Sequence, residues 1–177
     1  MAEFLFITPQ EMASTTVLGG NVDIDKYIFC IANVQLMTIE PLLGTELYNK
    51  IADEAEAETL AGLYLELYTR FVKPITKHKS MAEYIEIGQY IVDNGGIYKH
   101  TADNAEIVTK DEVLFLSNKY NAFAQGLIIR FNKWICNNSI PEFKTYQDEV
   151  NANLNIKVTA GWKLNGNRYN DRAWYLQ

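Results

Sequence analysis

Cysteine, histidine and proline are scarce in this chain, and each scarcity removes a class of function. Its 177 residues hold two cysteines, Cys30 and Cys136, two histidines, His78 and His100, and four prolines. Thiols set singly inside helical apolar patterns predict buried free cysteines in a reducing compartment, with no disulfide framework and no zinc site. The lone histidines, one in a basic run and one in a polar stretch, read as surface residues and supply neither a ligand set nor a base beside a nucleophile. Glycine-rich phosphate loops, nucleophile elbows and paired Glu-x-x-His motifs are absent. No catalytic residue, metal or cofactor is therefore expected. Pairs such as Asp93 with Asp103, or Asp148 with Glu149, occur in almost any acidic protein and carry little weight. Apolar runs of the roughly 18 residues that span a membrane are missing too. The N-terminus has no basic stretch leading into an apolar one, so synthesis in the cytosol, with no membrane partner, is the expectation.

Basic residues are outnumbered, 16 against 22 acidic, for a net charge of −6. That balance disfavours phosphate backbones and anionic lipid as partners. Arg70, Lys73, Lys77 and Lys79 make a modest basic cluster, but the aromatics near it follow a core spacing. What the chain has in plenty is apolar and aromatic surface, 48 % and 12 % of residues, with eleven tyrosines. The length suits one domain with a sizeable core.

The dominant pattern runs from Thr109 to about Asn138. Val113, Leu116, Tyr120, Phe123, Leu127, Phe131 and Trp134 recur every three or four positions, which predicts one long amphipathic helix over about 110–137. Thr109 with Glu112 forms a capping box, and Val108 with Val113 a hydrophobic staple. Asn137-Asn138, with Pro141 beyond, ends it. The opposite face, with Asn118, Lys119, Gln125, Ile129 and Lys133, is free to meet a neighbour.

Around this helix the chain reads as a series of shorter ones. Glu3 to Ile7 is an arm or an edge strand. Thr8-Pro9-Gln10-Glu11 starts a short helix to about Leu18, with Thr8 as cap. Asp23 caps a helix through Tyr27, Ile28, Ile31, Val34 and Ile39, whose off-stripe Phe29, Leu36 and Met37 need cover from the core or from a neighbouring subunit. Glu40-Pro41-Leu42-Leu43-Gly44 ends it, and Thr45 caps the next helix, with Leu47, Tyr48 and Ile51 inward. Asp53, Glu54, Glu56 and Glu58 form an acidic tract, read as a solvated face. A helix from Leu60 carries Leu63, Leu67, Phe71 and Ile75, and Pro74 should kink or end it. Lys77-His78-Lys79-Ser80 then reads as an exposed turn, and Met81 to Val92 as a further helix closed by Asn94-Gly95-Gly96. A short loop or hairpin is expected near 97–108, where Tyr98, His100, Asp103 and Asn104 are candidate contact residues. Ser139 and Glu142 open a last short helix.

After Asn153 the period changes to two. Leu154, Ile156, Val158, Ala160, Trp162 and Leu164 alternate with polar residues or glycine, the pattern of a strand with one buried face. Asn165-Gly166 is a hairpin turn, after which Tyr169, Trp174 and Tyr175 return as a strand or extend as an arm. An isolated hairpin is marginal in water and must lie on something. The fold class is therefore mainly α: a helical bundle about one long helix over 1–152, followed by an extended or β arm over 153–177. Candidate interaction residues of the arm are Ile156, Val158, Trp162, Leu164, Tyr169, Trp174 and Tyr175.

Several stretches in order, Ile39-Glu40-Pro41-Leu42-Leu43-Gly44 with Leu47-Tyr48, Asn94-Gly95-Gly96-Ile97, then Tyr120, Ala124, Arg130, Phe131 and Trp134 closing on Pro141-Glu142-Phe143, resemble the head-tail connector (adaptor) proteins of tailed bacteriophages. The likeness is nearest to adaptors of crAss-like phages of Bacteroides and covers roughly residues 4–152. It implies a virion neck protein without enzymatic activity. Such proteins form a ring, usually a dodecamer, that binds the portal and joins it to tail or further neck proteins. Genome DNA passes through the lumen without sequence-specific binding. The residues by themselves leave open a small helical enzyme or regulator with a pocket near His100, between the 81–92 helix and the long one, and a helical DNA-binding accessory protein.

Overall fold

The structure, a computed structural model, describes residues 4–18, 24–88, 90–93, 96–99, 109–144 and 146–147. The chain divides into two units, Met1–Tyr146 and Gln147–Gln177. The first is mainly α-helical. Its helices are α1 (Pro9–Thr15), α2 (Ile24–Val34), α3 (Glu40–Leu43), α4 (Thr45–Glu56), α5 (Gly62–Leu67), α6 (Lys73–Ile87) and α7 (Lys110–Asn137), with a two-stranded hairpin of β1 (Tyr90–Asp93) and β2 (Gly96–Lys99) between α6 and α7.

Two wide π-helical turns make long rods out of short helices. Gln35–Ile39 joins α2 to α3, and Tyr68–Val72 joins α5 to α6. In them the Glu40 N–H donates to the Gln35 carbonyl and the Lys73 N–H to the Tyr68 carbonyl, five residues back. Each turn is followed, two residues on, by a proline, Pro41 or Pro74. Proline lacks a donor and crowds the carbonyl four residues before it, and a wider turn relieves both problems without breaking the helix. Pro74 therefore does not end the helix, which continues through it to Ile87. The segment Lys77 to Ser80 is accordingly no exposed turn but the middle of α6, with Ser80 fully buried.

Helix ends follow local chemistry. Thr8 Oγ1 accepts from the Glu11 N–H at 3.1 Å and caps α1, which stops at Thr15, before the expected Leu18. At α7 the capping box is complete: Thr109 Oγ1 accepts the Glu112 N–H, and Glu112 accepts the Thr109 N–H at 2.9 Å. Those bonds from Thr109 hold the Glu112 carboxyl below its usual range. Asn138 is the C-cap. Between α3 and α4 the N-cap is Gly44 at φ 82°, not Thr45, whose hydroxyl donates instead to Glu40 Oε1 at 2.9 Å. Gly44 sits in a region of backbone space that is nearly glycine's alone.

The hairpin lies earlier than expected. Helix α6 stops at Ile87, and Gly88, whose added Cβ would meet the Tyr84 carbonyl at 2.8 Å, closes it. Tyr90 pairs with Lys99 and Asp93 with Gly96, antiparallel. Here the β-branched and aromatic residues flanking Asn94-Gly95 outweigh the helical spacing read over Met81 to Val92.

One core cluster joins Phe6, Val34, Ile39, Leu43, Leu47, Ile51, Leu67, Phe71, Ile75, Phe131 and Ile135, and a second joins Ile7, Met12, Tyr27, Ile31, Met81, Ala82 and Tyr120. Each large side chain so buried contributes about 1.5–3 kcal/mol. Phe4 to Ile7 is thus no free arm or edge strand: Phe6 and Ile7 lie in the core. Buried Gln35 holds this segment, its Oε1 accepting the Phe6 N–H at 2.8 Å and its Nε2 donating to the Phe4 carbonyl at 2.9 Å. Tyr68 Oη donates to the Phe6 carbonyl at 2.9 Å. Both backbone groups of Phe6 are therefore satisfied by side chains, as an unpaired extended segment in a core requires.

Candidate functional site

Helices α6 and α7 run antiparallel, as cross-contacts at rising α6 and falling α7 numbers require. Phe71 packs against Phe131 and Trp134, His78 against Tyr120 and Phe123, and Ser117 Oγ donates to Glu86 at 2.6 Å. Lys79 Nζ donates to Asn121 Oδ1 at 2.8 Å. The buried line of α7 is Ser117, Tyr120, Ala124, Phe131 and Ile135. Small Ser117 and Ala124 let α6 approach closely, and the seam is offset from the large-residue stripe read in the sequence. Leu116 and Phe123, expected inside, are 37 % and 48 % exposed.

That offset opens a groove of about 510 Å³ between the two helices, lined by His78, Ala122, Phe123, Gly126, Leu127 and Arg130. Its floor is apolar and aromatic. At Gly126 an added Cβ would meet nothing within 4 Å, so open space lies over the helix there. His78 is half-buried, correcting its reading as a surface residue, and its Nδ1 is buried with no partner among the described residues. Burial first, and the Lys77 charge second, pull its pKa below the ordinary value near 6.5. That shift favours the neutral imidazole, and among the described residues no carboxylate, serine or cysteine lines the groove with it. This arrangement suits reception of an apolar group with an anionic edge near Arg130 better than bond-making chemistry.

A depressed histidine has a sign that can be checked. Between the folded pKa and about 6.5 the unfolded chain binds the proton that the native chain refuses, so stability falls as pH drops through that window. H78F keeps a ring and removes the proton. Its urea midpoint, relative to the wild type, should rise as pH is lowered from 7 towards 5; a constant difference would show that His78 does not titrate with unfolding.

A smaller cavity of about 250 Å³ lies among Ile7, Glu11, Thr15, Thr69, Lys73, Pro74 and Lys77. The Lys73–Glu11 ion pair at 2.8 Å joins two of its lining residues. At the other end of the unit, Glu142 does not serve chiefly as a cap partner for Ser139. Its carboxylate receives Lys50 Nζ at 2.7 Å and Tyr64 Oη at 2.9 Å, with Lys50 over the Tyr64 ring at 4.1 Å. Burial pushes the Glu142 carboxyl up, but the bonds from Lys50 and Tyr64 win and hold it below its usual range. Cys30 is buried as expected and its thiol is pushed up to about 11, by burial and then by Glu83. Cys136 is exposed, contrary to the buried thiol expected there. It follows buried Ile135 on the helix, so the one-residue step turns it outward. No group of three or more His, Cys, Asp or Glu side chains among the described residues could hold a metal ion. No described helix is long and apolar enough to cross a membrane.

Apolar side chains also face outward in two places. On the α2 rod Phe29 is 65 % and Met37 70 % exposed, with Leu36 beside them, and on α7 Phe115 is 70 % and Ile129 57 % exposed. Of the candidate contact residues, Tyr98 is in β2. His100, Asp103, Asn104 and the arm residues Ile156, Val158, Trp162, Leu164, Tyr169, Trp174 and Tyr175 lie outside the described residues, as do Val108 of the expected staple and Asp23 of the expected cap. The sequence reading centred its alternative pocket, between the 81–92 helix and the long one, on His100 and did not single out His78, which lines this groove. The signal was there: Phe71, Ile75, His78 and Ala82 keep a helical period straight through Pro74.

No curated protein and no solved structure matches the chain. A family model does match residues 39–154, more than half of its length, and on that ground the chain belongs to DUF6712, a family of unknown function.

Proposed function

We propose that this protein is a structural adaptor of a tailed-phage virion, forming a dodecameric ring in the neck between portal and tail, with genome DNA passing through the lumen. In this reading a helical bundle about α7 is the wall unit, and residues 153–177 are an extended or β arm that reaches an adjacent subunit or tail protein. The protein has no enzymatic activity or cofactor and acts in the virion after synthesis in the host cytoplasm. The observation that carries the proposal is the order and spacing of Ile39 to Gly44, Leu47-Tyr48, Asn94-Gly95-Gly96-Ile97, Tyr120 to Trp134 and Pro141-Glu142-Phe143, which resembles that of head-tail connectors. Outward Phe29, Met37, Phe115 and Ile129 support it, since exposed apolar faces mark surfaces that assemble. The acidic balance supports it as well, because a lumen of net negative sign lets DNA slide without sticking.

Removal of residues 153–177 is the test. The truncated protein should keep its helical circular dichroism and lose the ability to join portal to tail in a reconstitution viewed by electron microscopy. Normal joining by the truncated protein would sink the arm, and failure of the intact chain to attach to a portal would sink the adaptor reading. A monomer in isolation is compatible with a ring templated by the portal.

A further inference from the structure

Arg130 is a base lining the α6/α7 groove, and among the described residues no carboxylate lines it. From Val113 to Asn137 the long helix contains Lys119, Arg130 and Lys133 and no carboxylate. None of these three bases forms an ion pair among the described residues. The segment Ile51 to Thr69 is the reverse: it holds Asp53, Glu54, Glu56, Glu58 and Glu66 and no base. Its turn is well ordered by backbone bonds. The Ala57 N–H donates to the Asp53 carbonyl at 3.0 Å and the Thr59 N–H to the Glu54 carbonyl at 2.8 Å, with Glu58 left-handed at φ 55°. The result is an exposed acidic knuckle followed, five residues after Glu58, by Leu63, 38 % exposed.

We infer that the groove of one copy receives the acidic knuckle of a second copy, Glu56 and Glu58 facing Arg130 and Lys133 and Leu63 covering Phe123 and Leu127. The groove is lined by His78 of α6 and by five residues of α7. Within one chain the described residues show no ion pair between Glu56 or Glu58 and Arg130 or Lys133, so both charged patches are left for a second copy. A contact between unlike patches of identical copies is heterologous, and such contacts propagate into a ring or a filament. The inference rests on the ring reading above and says which faces meet in it.

Charge reversal tests it on the full chain. R130E/K133E makes the groove acidic, and E56K/E58K makes the knuckle basic; all four side chains are exposed, so circular dichroism should be unchanged. Each variant alone should lose copy-to-copy association by about tenfold or more, the scale of close interfacial charge pairs. An equimolar mixture should recover it, with the variants alternating, as native mass spectrometry of portal-bound assemblies would read. Full association of either variant alone overturns the contact. So does a mixture that fails to recover, or unchanged association accompanied by lost retention on DNA, which would make a polyanion the occupant. Wild-type copies that associate through this charge pair yet never attach to a portal uphold the contact and overturn the adaptor role.

Discussion

Replacing Gln35 by Leu is expected to lower unfolding stability by about 2–4 kcal/mol, more than any single surface change. Leucine has a similar size, so little cavity forms. What is lost is the double clasp on the N-terminal segment. The Phe6 N–H and the Phe4 carbonyl, held at 2.8 and 2.9 Å by the Gln35 amide, lose their side-chain partner beneath the core. A buried backbone group without a partner costs about 1–3 kcal/mol. If the segment instead peels away, Phe6 leaves contacts with Tyr48 and Tyr68, ring centroids at 5.2 and 6.0 Å, and the cost is similar by another route. Denaturant midpoints measure the sum, and hydrogen exchange at the Phe6 amide separates the routes, slow in the first and fast in the second. A loss under about 0.5 kcal/mol, the usual size for a neutral site, would show that the clasp is not structural.

Gly44→Ala carries the second large effect. At φ 82° and ψ 149° a side chain is strained whatever the space around it, at about 1–3 kcal/mol. The space is also taken: a Cβ there would meet Tyr146 Cγ at 2.5 Å. Tyr146 would have to move, giving up the bond from its hydroxyl to the Pro41 carbonyl at 2.9 Å and its ring contact with Phe143. We expect a total of about 3–5 kcal/mol from strain and overpacking together. The double variant G44A/Y146A discriminates between them. With the clash removed it should be less damaging than the sum of the single variants, a coupling that independent sites would not show. Strict additivity would mean that Tyr146 does not sit on Gly44 in solution.

How much of this was legible in the sequence depends on whether a feature is local. The caps at Thr8 and Thr109, the stop at Asn138 and the glycine break at Gly44 were readable, because each follows from a few adjacent residues and satisfies its own backbone groups. The mainly α class was readable from period alone. Pro74 misled, since a proline rule applied to a regular helix takes no account of a wide turn placed just before it. The N-terminal Phe4 to Ile7 misled too. Its partner is a glutamine 29 positions away from Phe6, and no local pattern reveals that a polar side chain will take the place of a neighbouring strand. The groove was misread for a related reason. Large residues on α7 were read as core, whereas the close approach of α6 at Ser117 and Ala124 selects the small ones and leaves Phe123 half outside.

The wide turn before Pro41 has a geometric effect beyond accommodating that proline. Ile31, Gln35, Ile39 and Leu43 are all at most 1 % exposed and fall four apart. In a regular helix each step of four overshoots a full revolution by about 40°, so three steps would carry Leu43 roughly 120° away from Ile31. A single surplus residue takes up about 100° of that drift. The turn thus acts as an angular correction that keeps one straight azimuth facing the core along the whole rod, and the proline behind it blocks relaxation to the tighter pitch. Homologous chains that lack the proline would be expected to differ by one residue in length at this point, since the count of residues and the direction of everything downstream are tied together there.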